Sequence, residues 1–369
     1  MSTYSGSLRR AAAAGSDTEY VAGHQSEFAV VVRQRIADYF TERKLSPKAD
    51  GIMMGKIALG LSVWAFGFVL LYCVPLTPGR LIAVYALLGL VQSFLILNVA
   101  HDAIHNAVSR RGYVNRFLSY VYDGCGVCSY LVRVLHNHAH HSCINLYGED
   151  DPLSGRRFFR FTEQARGKAL YHFQHLYAPF FYALFSIDYV FARDFEDFFF
   201  PVQSQLKRMK HPAREYAILI GGKLLYLTVV IVLPIRYLGY SPLNVLLGFV
   251  TMHAIIGGIV AAVFAPTHIL ECNEFPHSRA EYEDYVHHIF ATTCDFAVDS
   301  PMVTWLTGSL NHHIVHHICP QVCHTHYPEL TKIVKRTAAE FGVTYKEVPT
   351  LTHALSAHFA MLKRLGSSA

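Results

Sequence analysis

Leu81-Ile-Ala-Val-Tyr-Ala-Leu-Leu-Gly-Leu-Val-Gln-Ser-Phe-Leu-Ile-Leu-Asn-Val-Ala100 holds no Asp, Glu, Lys or Arg, and it runs directly into His101-Asp-Ala-Ile-His105. About 20 apolar residues cross a bilayer, so this stretch reads as a membrane span with a histidine pair at its end. Three more stretches share the character, at about 57–76, 217–235 and 243–266. Only the 217–235 stretch contains a charge, Lys223, close enough to one end to reach the headgroups. The composition agrees: 52% of residues are hydrophobic, 16% are charged, and the mean hydropathy is +0.24. Soluble domains carry roughly 25% charged residues. The fold class expected is therefore an all-α integral membrane protein of four transmembrane helices, with a cytosolic helical cap carrying a histidine-rich di-metal site.

The cap takes its character from two further histidine bursts, His136-Asn-His-Ala-His140-His141 and His312-His313-Ile-Val-His316-His317. A buried imidazole needs partners for both ring nitrogens, and a metal satisfies many rings at once. On a helix His101 and His105 share a face, as do His136 and His140 (with His141 adjacent), and His313, His316 and His317. Eight imidazoles exceed what one four-coordinate zinc uses, so two metals are expected. Imidazole suits zinc, copper, iron or nickel. Ligand type therefore leaves the metal open; an iron centre that activates dioxygen beside a membrane needs little from the protein beyond ligands, open positions and a substrate channel. His268 ends the fourth stretch level with the clusters and is a ninth candidate.

Spacing leaves some choices open. His312 is i, i+4 to His316, so it competes with His313, and His138 reads as a supporting or solvent-facing ring. His253 lies mid-span and reads as a core residue. His172, His175, His287, His288, His324 and His326 read as surface or hydrogen-bonded structure, and Asp102 as a carboxylate orienting a neighbouring histidine.

Of the 32 Lys and Arg residues, 29 fall in 1–56, 101–215 and 269–369, the segments on one side of the four spans. The positive-inside tendency makes that side cytoplasmic, with all three bursts and both termini on it. The net charge of +5 is accounted for by this asymmetry facing anionic lipid, without nucleic acid. The eight cysteines are expected as free thiols. Cys125-Gly-Val-Cys128 has no second pair and reads as small residues packed near the membrane. Cys319 and Cys323 flank the last burst and are not counted as ligands.

Residues 1–25 read as a disordered tail without signal-peptide features. The main domain is placed at 26–350, with 351–369 as a C-terminal tail. From Ser26, Phe28, Val31, Val32, Ile36, Tyr39 and Phe40 have helical spacing, giving an amphipathic helix on the membrane or on the cap. The aromatic-rich segment 106–214 reads as in-plane interfacial helices, and a further helix is expected at about 328–341.

The order HxxxH, HxxxHH, HxxHH around four spans resembles the membrane fatty acid desaturase family. Three longer stretches resemble its front-end, linoleoyl-CoA desaturase-like branch. These are Cys294-Asp-Phe-Ala-Val-Asp-Ser-Pro-Met-Val-Thr-Trp-Leu-Thr-Gly-Ser-Leu-Asn311, Cys323-His-Thr-His-Tyr-Pro-Glu-Leu330 and Phe173-Gln-His-Leu-Tyr-Ala-Pro-Phe-Phe-Tyr182. The resemblance covers roughly 26–350. It implies a di-iron enzyme that uses O2 as co-substrate and two electrons to place a C=C bond in an acyl chain. The implied metal ligands are His101, His105, His136, His140, His141, His268, His313, His316 and His317, which favours His313 over His312. Two positions depart from the branch: His313 stands where Gln is common, and Val315 where Glu is usual. The His-Pro-Gly-Gly motif of a haem-binding cytochrome b5 domain is absent, so a separate ferredoxin or cytochrome b5, with its reductase, is the expected electron donor. A basic cytosolic surface suits an acidic ferredoxin.

The same scaffold also serves an acyl hydroxylase or acetylenase. A non-enzymatic metal transporter or sensor would need ligands along a path through the spans, where only His253 lies deep. A zinc hydrolase would need an obvious carboxylate base, and Asp102 within the first burst reads instead as orienting a histidine. CoA, a carrier protein or a lipid stay open as the acyl carrier.

Overall fold

The structure, a computed structural model, describes residues 25–150, 158–200 and 211–368. All but the last residue of the expected 1–25 tail lies outside that range. Four helices are long and apolar enough to cross a membrane: Gly51–Cys73, Pro78–Ile104, Ala213–Arg236 and Pro242–His268. The second and fourth pack most closely. A Cβ on Gly89 would stand 2.7 Å from the Met252 carbonyl oxygen, and one on Gly248 would overlap the Tyr85 ring. Small residues at such a crossing let two backbones approach, the usual way apolar helices associate in lipid.

The first span starts six residues before the charge-free stretch does. Asp50 caps it, accepting from the Met53 amide at 2.8 Å. Lys56 then enters the fold instead of marking its edge. Its ammonium donates to Asn98 Oδ1 (2.8 Å) and the Trp305 carbonyl (2.9 Å) and lies 3.0 Å from His324 Nε2. A buried amine with three acceptors is tolerated where an unpaired one is not. The span ends at Cys73 because Val74 precedes Pro75, and its extended backbone (φ −118°, ψ 127°) is what a following proline demands.

Two spans contain wide, π-helical turns. In the third, Thr228–Val232 frees backbone carbonyls, and the hydroxyls of Tyr72 and Tyr85 donate to Val229 and Val230. In the second, Ile96–Ala100 immediately precedes His101. Such turns insert a residue and re-aim the side chains beyond it, and they recur at functional sites.

The N-terminal helix Glu27–Glu42 belongs to the cap. Phe28, Val32, Ile36 and Phe40 pack on Ile314, Val315, Leu330 and Val334. Ser26 caps it and is itself tied to Asp284, 2.6 Å from Oγ to Oδ2. The aromatic-rich segment forms short helices, among them Gly112–Ser119 and Gln174–Asp188, with Tyr113, Phe117, Phe173, Leu176 and Phe180 exposed. Exposed apolar side chains of this kind suit a membrane interface.

Strand β1 (Asp295–Phe296) pairs in parallel with β2 (Glu347–Val348), Asp295 opposite Glu347. The segment expected from sequence to be a C-terminal tail is instead the helix Leu351–Ser367, packed into the fold. It buries Ala354, Met361, Leu362 and Leu365, and Gly366 abuts the Tyr171 carbonyl so closely that a Cβ would overlap it. His358 of this helix bonds the Ile269 carbonyl, one residue past the fourth span, at 3.0 Å.

Candidate metal centre

Four chain segments meet where the second and fourth spans end. The second span brings His101 and His105, and the fourth ends on His268. The second burst forms a six-residue π-helix, Leu135–His140, rather than the α-helix its spacing suggested. The third burst opens the helix His313–Ile318.

The rings gather into two groups. His101, His105, His136 and His316 form one; His140, His268, His313 and His317 form the other. Within each, one nitrogen per ring lies within 4.8 Å of all the others. The second burst is thus divided between the groups, and so is the third. In the second burst the division falls across the π-helical turn, where the His136 and His140 rings stack with centroids 5.3 Å apart. His141 sits between the groups: its Nε2 is 3.2 Å from His136 Nε2, and its ring centroid is 4.8 Å from that of His316 and 4.5 Å from that of His317.

Inside the groups, nitrogens face nitrogens. His136 Nε2 lies 3.0 Å from His101 Nε2 as well as 3.2 Å from His141 Nε2. His268 Nε2 lies 2.9 Å from His313 Nε2 and 3.2 Å from His317 Nε2. One ring nitrogen carries at most one hydrogen, so it cannot bond two such neighbours well. A shared cation resolves the contact: two nitrogens about 2.1 Å from one ion, at right angles, are about 3 Å apart. Among the described residues, the buried His105 Nε2, His316 Nε2, His141 Nδ1 and His317 Nδ1 have no hydrogen-bond partner. Burial, reinforced by neighbouring imidazoles, holds His105, His136, His141, His313, His316 and His317 far below the usual histidine range. These rings are neutral at physiological pH, the form that binds metal. The donor set fits two metal ions.

The far nitrogens of several rings are held by the surrounding structure, which turns Nε2 inward. His140 Nδ1 donates to Asp150 Oδ1 at 2.9 Å, and His313 Nδ1 to the Leu310 carbonyl at 3.0 Å. Asp150 Oδ2 accepts from the Asn145 amide at 2.8 Å, and Asn145 Nδ2 in turn reaches the carbonyls of His268, Glu274 and Thr292. Asp295 Oδ1 caps the third-burst helix from across the fold, accepting from the Ile314 amide at 2.8 Å, while Tyr345 donates to Oδ2 at 2.5 Å.

The remaining candidates fall outside the groups. His312 is turned away, its Nδ1 2.9 Å from the Thr331 hydroxyl and its Nε2 3.2 Å from that of Thr304. His253 is enclosed by Ser186 and Tyr226, and His288 bonds the Ile144 carbonyl. Asp102 does orient a histidine, but it is His324, through Nδ1 at 2.9 Å. Asp102, Cys323 and His324 form a third cluster with metal-like spacing. The Lys56 ammonium against His324 Nε2 makes it a hydrogen-bonded network instead. Cys125 and Cys128 are buried free thiols, and burial pushes the Cys128 thiol up to about 12.

The sequence model described as "Fatty acid desaturase" matches residues 75–349. The chain belongs to the fatty acid desaturase family. An sn-1 linoleoyl-lipid 6-desaturase of Synechocystis sp. is 34% identical over 357 residues, covering 92% of this chain and 96% of that protein. Another protein of that name, from Arthrospira platensis, is 28% identical over 93% of this chain and 94% of its own length. An acyl-lipid (8-3)-desaturase of Physcomitrium patens is 29% identical over 94% of this chain and 73% of its own length. This desaturase is a membrane-bound oxidoreductase acting on fatty acyl chains.

Asp150, Asp295 and Lys56 carry no sequence signal of their roles. Asp150 stands ten residues beyond the histidine it orients, and Asp295 eighteen before the helix it caps. A lone lysine before an apolar run signals an edge, and nothing local told of its three acceptors.

Proposed function

We propose that this desaturase holds two iron ions in its nine histidines and uses O2 and two electrons to insert a C=C bond into an acyl chain carried by a membrane lipid. The reaction balances as –CH2–CH2– + O2 + 2 e− + 2 H+ giving –CH=CH– + 2 H2O. The observation that carries the reading is the pair of buried, neutral imidazole groups at the ends of two apolar spans. His101, His105, His136 and His316 would hold one ion, and His140, His268, His313 and His317 the other, with His141 between them. Bound iron supplies the oxidising chemistry that hydrogen removal from an unactivated methylene needs. The chain itself keeps the rings neutral by burial and fixes their orientation through Asp150, Leu310 and Asp295.

The names of the relatives support a lipid-borne acyl group and a bond toward its carboxyl end. The concentration of Lys and Arg beside the histidine-bearing segments supports a cytoplasmic site with both termini on that side. Electrons come, in this reading, from a separate ferredoxin or cytochrome b5 and its reductase.

The test is fatty acid methyl ester profiling by gas chromatography–mass spectrometry, in a bacterial host carrying the chain with a ferredoxin and reductase. A new unsaturated ester, absent with His316→Ala, is expected, and derivatisation places the bond. A hydroxylated or alkynyl product would assign the hydroxylase or acetylenase outcome. Zinc in place of iron in the active purified protein would undo the reading.

A further inference from the structure

We propose that Phe264 is a specificity-determining residue, the ring against which the reacting methylenes lie beneath the two metal sites. The inference rests on the desaturase reading and adds to it where the chain is held.

Phe264 is four residues before His268 on the fourth span, so it shares that ligand's face one turn deeper in the membrane. Its ring contacts histidines of both groups: the centroids lie 5.7 Å from His101 and 6.5 Å from His136 in one, and 6.0 Å from His313 in the other. Among the described residues no other non-histidine ring lies against both groups; Tyr327 reaches only His316.

Two more ligand-bearing segments repeat the arrangement. Leu97 is four residues before His101, and Leu310 is three before His313. These two and Val263 form one buried apolar cluster, against which Phe264 packs. Three segments thus each place an apolar side chain three or four residues before a histidine of the groups, and the three side chains pack together. This patch has no side chain able to bond a polar ligand, and a methylene chain is the ligand it suits. Val263, Pro266, Thr267 and His268 are fully buried, whereas Phe264 keeps accessible surface. Part of its side chain is therefore free to touch another molecule. Which carbon pair reacts depends on placement to within about an ångström, and a rigid ring bridging both sites sets that placement.

The experiment compares wild type, Phe264→Leu and Phe264→Ala, measuring metal per purified chain and double-bond position and amount in host lipids. All three are expected to hold two metals. Phe264→Ala should lower the wild-type alkene by roughly tenfold or more, with bonds at neighbouring positions or hydroxylated chains appearing. Phe264→Leu should keep the wild-type position. The proposal is overturned if Phe264→Ala makes the same isomer at the wild-type rate. It is equally overturned if both variants lose metal in step with activity, since the ring would then be a wall of the metal site. A wild type with two metals and no alkene would instead remove the acyl-desaturase reading, and this inference with it.

Discussion

Asp150→Asn tests whether the two histidine groups are separate metal sites. The Asp150 carboxylate is almost fully buried and fixes His140 through Nδ1, leaving Nε2 for the second group. Its other oxygen holds the Asn145 amide, and Asn145 clasps the carbonyl of His268, a second member of that group. Asparagine keeps the shape but loses the charge and can present a hydrogen where an acceptor is required. A carboxylate supporting a metal-bound histidine is worth about 10–100-fold in metal affinity, or about 1.4–2.7 kcal/mol. Because two rings depend on the same carboxylate, the upper end is expected. None of the first group (His101, His105, His136, His316) bonds Asp150, so its ion should stay. The assay is iron content after dialysis against graded chelator. The variant should pass through a plateau near one iron per chain, reached at roughly 100-fold lower chelator strength than in wild type, and be inactive throughout. Loss of both irons together, or a wild-type release curve, would refute the division into two sites.

The same geometry sets three further outcomes. Asp295→Ala leaves the Ile314 amide and the Tyr345 hydroxyl without their acceptor, at about 1–3 kcal/mol each. Thermal unfolding in detergent should show a large drop for Asp295→Ala and a small one for Asp295→Asn, which keeps an acceptor; equal drops would contradict the capping role. His312→Ala should retain two metals and most activity, whereas His313→Ala should lose metal from the second group, read by metal analysis of the two purified variants. Burial raises the Asp284 carboxyl, but hydrogen bonds from His287 and Ser26 outweigh it and hold the group well below the usual carboxylate range. Its contribution is therefore complete above about pH 4 and is lost as pH falls further. The thermal midpoints of wild type and Asp284→Asn should differ at pH 6 and converge at acid pH; a gap that persists would show that charge is not the cause.

How far the site could be read from sequence depended on range. His101 and His105 are four apart on a regular helical turn, and both enter one group. His136 and His140 have the same spacing yet enter different groups, on a backbone that is π-helical. Their sequence gives no local sign of that turn. Leu351–Ser367 carried a visible signal, with Ala354, Met361, Leu362 and Leu365 at helical spacing, and a boundary drawn at the end of the motif-bearing region hid it.

Sequence by itself determined the four apolar spans, the three histidine bursts, the free cysteines and the family. These come from hydropathy and short-range spacing, which every residue carries locally. Tertiary structure decided which ring faces which group, and why His312 turns toward Thr331 and Thr304 while His313 turns inward. It also decided that Lys56 is buried, and that Asp150 and Asp295 hold the rings and helix they serve. A ring's orientation is set by what its far nitrogen bonds, and that partner can come from any part of the chain that folding brings within about 3 Å.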